Sequence, residues 1–500
     1  MHRYSLVLLT HFISIICYAQ HMDQAKEILN RAISAMGGDS LLKKINSINY
    51  VEYSYRNAIE QSERPDGPFI PEPGNGKVYM NLVGRQLYKQ STSQSSVFVT
   101  NSIKLADSTS YAEKNSNGIS PSTQDRLIQD ENDLSPMYIY YTALKSNDLH
   151  TEADTILQKN PQKVIAFTWH HYPVRVFING FTDFLTAYQI IKPYNDDFIN
   201  IWGDSKKMVY YSFWFLEPNG LHYPYQKDIF INDWHYSSEM ITQLDINKDF
   251  PADSLSIPDS IKTKDLHIET LRHERYVNNI SQHAREIKKG IWIIPGFCNT
   301  TIVKQTDGII IVEASQSNEY TKLILDKVHE IYPSEKIKAV ITTSDAWLHL
   351  GGLREYASRN IPIYYLDLNY FIVSKLLAAT YITKPDAWQK LKNKHPQLIS
   401  VSKKISLGKG DNQLQLIPYR TETGERMMMV YFPSQKILYA SDLYQPKDSN
   451  GSYWEPHYPF EVCSAVNREH LDVELLYAMH LADPISFSVV KKDMTNNFQP

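Results

Sequence analysis

Residues 341–356 read ITTSDAWLHLGGLREY. An apolar run ends on two threonines, a short polar loop carries a single histidine, and a glycine pair opens a helix, which is strand, loop and helix in immediate succession. Around this stretch the same alternation continues. GIWIIPGFCNTTIVKQTDGIIIVEA (290–314) predicts two strands hinged at Thr306-Asp307-Gly308, NEYTKLILDKVHEIY (318–332) an amphipathic helix, and KIKAVITT (336–343) a buried strand. IPIYYLD (361–367), QLQLIPY (413–419), RMMMVYF (426–432) and KILYASDLY (436–444) supply further strands. Strands interleaved with helices predict an α/β layer arrangement.

The first half has another texture. After DQAKEILNRAISAMGG, whose Ala25, Ile28, Leu29, Ala32 and Ile33 form one helical stripe closed by Gly37-Gly38, residues from about 45 to 250 run in short alternating segments such as SINYVEYSY and KMVYYSFWFL. Their tyrosines, tryptophans and β-branched residues predict antiparallel sheet. Within it, Trp169-His170-His171 places neighbouring residues on opposite faces, which argues against a metal clip. Residues 251–288 are polar, carry prolines and lack a strand period, so they read as a linker. The expected organisation is a signal segment at 1–19, a helix plus β-rich domain at 20–250, the linker, and an α/β domain at 289–500.

The start, MHRYSLVLLTHFISIICYAQ, has basic residues, an apolar run and Ala19-Gln20, the pattern of a secretory signal cleaved after Ala19. Export to the periplasm or the outside is expected, with simple export favoured over lipidation at Cys17, and no transmembrane span is expected. Cleavage would leave Cys298 and Cys463, enough for one disulfide but equally read as two small buried hydrophobes. The chain has 500 residues, 42% hydrophobic and 21% charged, with 51 basic and 55 acidic side chains and a net charge of -4. That balance gives no reason to expect nucleic acid as a partner. Glycosylation triplets occur at Asn279-Ile-Ser281 and Asn299-Thr-Thr301, but nucleophile-elbow, phosphate-loop and Cys-x-x-Cys motifs are absent.

In this order of elements the C-terminal half, about residues 288 to 485, resembles the metallo-β-lactamase fold. GFCNTTIVKQTDGIIIVEA, ITTSDAWLHLGG, MMMVYFPSQKILYASDLY and LLYAMHLAD carry the resemblance. It implies an αββα sandwich with a metal site at the sheet edge. In that family's His-x-His-x-Asp-His pattern, Ser344 and Ala346 stand where the first two histidines would be, Leu348 where the aspartate would be, and His349 matches the last histidine. The next histidine position falls on Thr423, or on Arg420 in a shifted alignment, while Asp442 and His480 match the bridging aspartate and the final histidine. Four of seven ligand positions are lost. His349, Asp442 and His480 form the minimal two-histidine, one-carboxylate set for a single zinc or iron ion.

The resemblance therefore implies one of two functions. One is an exported hydrolase of an ester, amide or phosphoester holding at most one zinc or iron. The other is a metal-free pseudoenzyme that binds a small-molecule ligand or a partner in the cell envelope. Asp345 is expected to cap the following helix or face solvent. The β-rich half, through AMGGDSLLKKINSINYVEYSY, ERPDGPF and YPYQKDIFINDWHYSSEMITQLDIN, resembles the extended sheet that some exported members carry, similar to lipoprotein-carrier half-barrels.

Overall fold

The structure is a computed structural model that describes residues 20–59, 67–94, 99–107, 110–116, 118–121, 135–169, 171–193, 203–262, 268–296, 298–420, 426–447, 451, 453 and 457–497. The expected signal segment with Cys17 and Ala19, and also His170 and Thr423, lie outside the described residues. Among the described residues no helix is long and apolar enough to cross a membrane. The chain divides into two compact units: Met1–Asn57, Pro71–Lys192 and Ser205–Ile268 form the first, and Ala58–Ile70, Pro193–Asp204 and Glu269–Pro500 the second.

Among the described residues of the first unit, thirteen strands form one sheet. Strand Ser47–Asn57 sits inside it, antiparallel to Pro71–Asn81 on one side and Trp234–Ile246 on the other. The helical stripe read from the sequence, Ala25, Ile28, Leu29, Ala32 and Ile33 of helix 20–35, packs with Met137, Ile139, Tyr140 and Ala143 of helix Pro136–Lys145 against Ile48, Tyr50, Val176 and Ile178 of the sheet. Charges buried nearby are paired, as a low-dielectric interior requires. Lys227 Nζ lies 2.6 Å from Glu239 and Lys89 Nζ 3.1 Å from Glu52. Gly76 makes room for Glu52, since a Cβ there would stand 3.0 Å from its Oε1.

The second unit stacks two sheets of seven and six strands. Ile310, Val312 and Ile341 from the first sheet and Met428, Val430, Phe432 and Tyr439 from the second form a common core. In the run MMMVYF the alternate residues Met427, Met429 and Tyr431 face the other way, onto Tyr458, Val462 and Val466 of helix Tyr458–Arg468 and Phe487 and Val490 of helix Phe487–Asn497. All six residues of Met427–Phe432 are buried, which explains why this strand lacks polar alternation. Helix Asn318–Ile331 starts on Ser317, whose Oγ accepts from Tyr320 N at 3.1 Å, and buries Tyr320, Ile324, Leu325 and Val328.

Two expectations about this half change. Residues 290–314 form three strands, Ile291–Ile294, Thr300–Gln305 and Gly308–Val312, with Pro295 at the added break. Nor is 251–288 an unstructured linker: Ile257 packs with Leu105 and Ala112 in the first unit, and residues 268–283 form a helix. Its Tyr276 and Ile280, four positions apart, are buried, with the Tyr276 ring 5.0 Å from that of Tyr320. Strand Arg285–Lys288 then pairs antiparallel with Ile291–Ile294. Helical spacing diluted by polar residues hid this element from a reading based on strand period. Among the described residues neither Cys298 nor Cys463, both buried, is in a disulfide. Asn299 is 2% exposed and its Nδ2 donates to Ala478 O at 2.9 Å, which removes it as a glycosylation acceptor.

The glycine pair of the opening stretch is required sterically. A Cβ on Gly351 would lie 2.0 Å from the Gln316 carbonyl oxygen, and one on Gly352 1.9 Å from Thr321 Oγ1. Gly351→Ala is therefore expected to lower unfolding stability by about 1–3 kcal/mol. Chemical denaturation checks this; an unchanged midpoint would contradict the packing described.

Candidate functional site

The carboxyl ends of strands Gly308–Val312, Ile337–Ile341, Ile437–Tyr439 and Leu475–Ala478 lead into Glu313, Thr343, Asp442 and His480. Such strand ends are where open α/β sheets place their chemistry. Glu313 and Ser441 adopt left-handed backbone at φ 79° and 56°, turning the chain at once after each strand. Met428 N donates to Thr343 O at 2.7 Å and Asn299 N to Met479 O at 2.9 Å, which ties the two sheets together at this rim.

His349 lies on the four-residue helix Trp347–Leu350 and is fully buried. Its Nδ1 is 2.9 Å from Glu313 Oε2, and its Nε2 is 2.9 Å from Asp442 Oδ2. The other Glu313 oxygen accepts from Tyr439 Oη at 2.8 Å and from the Thr343 hydroxyl, which lies 2.7 Å from Ser441 Oγ. His480 Nε2 approaches the opposite Asp442 oxygen at 3.4 Å. The structure thus brings together His349, Asp442 and His480 and adds Glu313.

Burial alone would push the His349 proton off, but the charges of Glu313 and Asp442 and their hydrogen bonds outweigh it and raise its pKa to about 10. Burial also opposes ionisation of Asp442, yet the charge and hydrogen bond of His349, with His480 nearby, hold its carboxyl below the usual range. Each ring nitrogen thus has a carboxyl oxygen 2.9 Å away, an arrangement that favours the protonated ring. Among the described residues no group of three or more His, Cys, Asp or Glu side chains is arranged to hold a metal ion. Asp442 lies between the two imidazoles, 2.9 Å from His349 Nε2 and 3.4 Å from His480 Nε2.

The residues that the resemblance set at the other ligand positions have contacts of their own. Ser344 is buried and its Oγ accepts from Ala346 N at 3.2 Å, Ala346 is 3% exposed, and Leu348 O accepts from Gln316 N at 2.9 Å. Arg420 pairs with Asp367 at 2.5 Å. Asp345 corrects an expectation: it is fully buried and faces Arg426 Nε at 3.7 Å, and the N-cap of helix Trp347–Leu350 is Ala346. A cation 81 positions away in the chain, invisible to a local reading, lets that carboxylate go inside. Glu313 was missed altogether; its signal was an ionisable residue directly after the wholly apolar strand GIIIV.

No family model matches the chain, and no curated protein does. Solved structures similar to it include a metallo-beta-lactamase from Pontibacter korlensis, at 16% identity and TM-score 0.33, covering 43% of this chain and 98% of that one. The sec-alkylsulfatase Pisa1 from Pseudomonas sp. is similar at 14% identity and TM-score 0.31, over 43% of this chain and 40% of that one. The DIM-1 metallo-beta-lactamase is similar at 12% identity and TM-score 0.33, over 43% and 96%.

Removing the cation should strand two buried carboxylates. His349→Gln is expected to cost about 3–5 kcal/mol near neutral pH. Because the folded-state pKa of His349, about 10, lies above its unfolded value of ~6.5, this stability is fully present below the unfolded value and is lost as pH rises through about 10. Denaturation from about pH 7 to 10.5 should show the parent converging on the variant. A constant gap across that range would contradict the assignment.

Proposed function

We propose that the second unit is a metallo-β-lactamase-type sandwich, hydrolase-like in fold, whose rim has exchanged a metal for a buried imidazolium. In this reading the chain is a metal-free pseudoenzyme that acts by binding in the cell envelope after export. The single observation that carries it is the pairing of both His349 nitrogens with carboxylates at 2.9 Å. A dication needs deprotonated ligands and an open position for water or substrate. Here the positive charge is already present as a proton shared into Glu313 and Asp442, and Ala346 adds an apolar wall.

One observation favours a second reading, a hydrolase of an ester, amide or phosphoester with a single zinc or iron. Donor atoms of His349, Asp442 and His480 approach at 2.9 and 3.4 Å, and Glu313 holds the far nitrogen of His349, as carboxylates do behind metal-bound histidines. In that case the proton on His349 Nε2 would have to leave before any ion entered.

Elemental analysis of the purified chain after equilibration with zinc or iron separates the two. The metal-free reading expects far less than one ion per chain and a melting temperature that neither added metal nor chelator moves. Close to one ion per chain, with a stabilisation of ~2.7 kcal/mol at 100 times the dissociation constant that a chelator erases, would establish the hydrolase reading instead.

A further inference from the structure

The first unit carries a groove of about 620 Å³ on the sheet face opposite the helix-packed core. Cross-strand register builds it. Tyr55 lies opposite Ser238, which lies opposite Asp228; Tyr53 lies opposite Met240, which lies opposite Gln226; and Phe230 lies opposite His235. Residues directly opposite one another share a face, so aromatic rings and polar groups converge on one patch. Tyr53 is 60% and Tyr55 41% exposed. The His235 ring stands between Tyr55 and Phe230, with centroids 5.4 and 5.0 Å away.

A hydrogen-bond chain ends on Asp228. Asn57 Nδ2 donates to the His235 carbonyl at 2.9 Å and lies 3.1 Å from His235 Nδ1, so its second hydrogen makes Nδ1 the acceptor. The ring proton is then on Nε2, 2.9 Å from Ser238 Oγ, and the Ser238 hydroxyl donates to Asp228 Oδ1. Gln226 Nε2 donates to the other oxygen at 2.9 Å. Every donor in the chain points towards this carboxylate, which fixes its position. This direction also excludes Ser238 as a nucleophile activated by His235, since that ring offers the serine a proton and no lone pair. Glu239, also at the groove, is committed to Lys227 at 2.6 Å. No lysine or arginine is among the groove's described lining residues.

We propose that this groove binds an organic cation, a small molecule with an ammonium head group. The head group would sit against the faces of Tyr53, Tyr55 and Phe230, whose ring quadrupoles attract cations, and pair with the fixed Asp228 carboxylate. An anionic ligand would meet only like charge there, and a neutral one would gain nothing from Asp228 beyond a hydrogen bond.

The test uses choline and its uncharged isostere 3,3-dimethyl-1-butanol, titrated calorimetrically into the full chain, with cellobiose as the neutral sugar probe. Choline should bind, the isostere should bind at least about tenfold more weakly, and Asp228→Asn and Tyr53→Leu should each weaken choline by roughly fivefold or more while the melting temperature stays within a few degrees. Tyr53 is exposed and Asn is isosteric with Asp, so both variants should fold. Absence of choline binding, equal binding of the isostere, choline binding unaffected by Asp228→Asn, or binding of cellobiose in place of choline would overturn the proposal.

Discussion

One imidazole ring with a carboxylate on each nitrogen organises the rim of the second unit. Two buried anions from separate sheets, Glu313 and Asp442, would repel each other and lose their hydration if nothing stood between them. The His349 cation supplies the charge, while Tyr439, Thr343 and Ser441 supply hydrogen bonds that spread the remaining negative charge. Because Glu313 follows a strand of the seven-stranded sheet and Asp442 one of the six-stranded sheet, the ring also joins the two layers electrostatically. The left-handed turns at Glu313 and Ser441 are the conformational cost of aiming these groups inward.

Beside His349 the opening stretch carries no second histidine. A rim with more histidines would have more neutral donors and could share a dication among them. Ser344 satisfies the loop backbone and Ala346 fills space. In the metal-free reading proposed above, protonation of His349 neutralises the buried carboxylates, which needs no ligand set and no open coordination position.

Much of the fold was legible because burial writes periodicity into sequence. The fully apolar GIIIV and the run MMMVYF announced strands covered on both faces, and NEYTKLILDKVHEIY announced its helix through Tyr320, Ile324 and Val328. The approach of His349, Asp442 and His480 was legible through loop spacing and resemblance. What stayed hidden depended on partners distant in the chain. Arg426 decides where Asp345 goes, Tyr320 receives Tyr276 of a helix that reads as linker, and Glu313 gains its role only when His349 arrives from 36 positions away. The groove on the first unit was hidden for the same reason, since Tyr55, Ser238 and Asp228 become neighbours only through strand register.

The most direct measurement of the central claim is the protonation state of the His349 ring. Nitrogen-15 NMR of chain labelled at histidine, with His349→Gln to assign the signal, reports each ring nitrogen separately. The account predicts that at neutral pH both nitrogens of His349 carry a proton and that the ring deprotonates only near pH 10. A neutral His349 at pH 7 with its proton on Nδ1 and a bare Nε2 would contradict it, and would restore the lone pair that a metal requires.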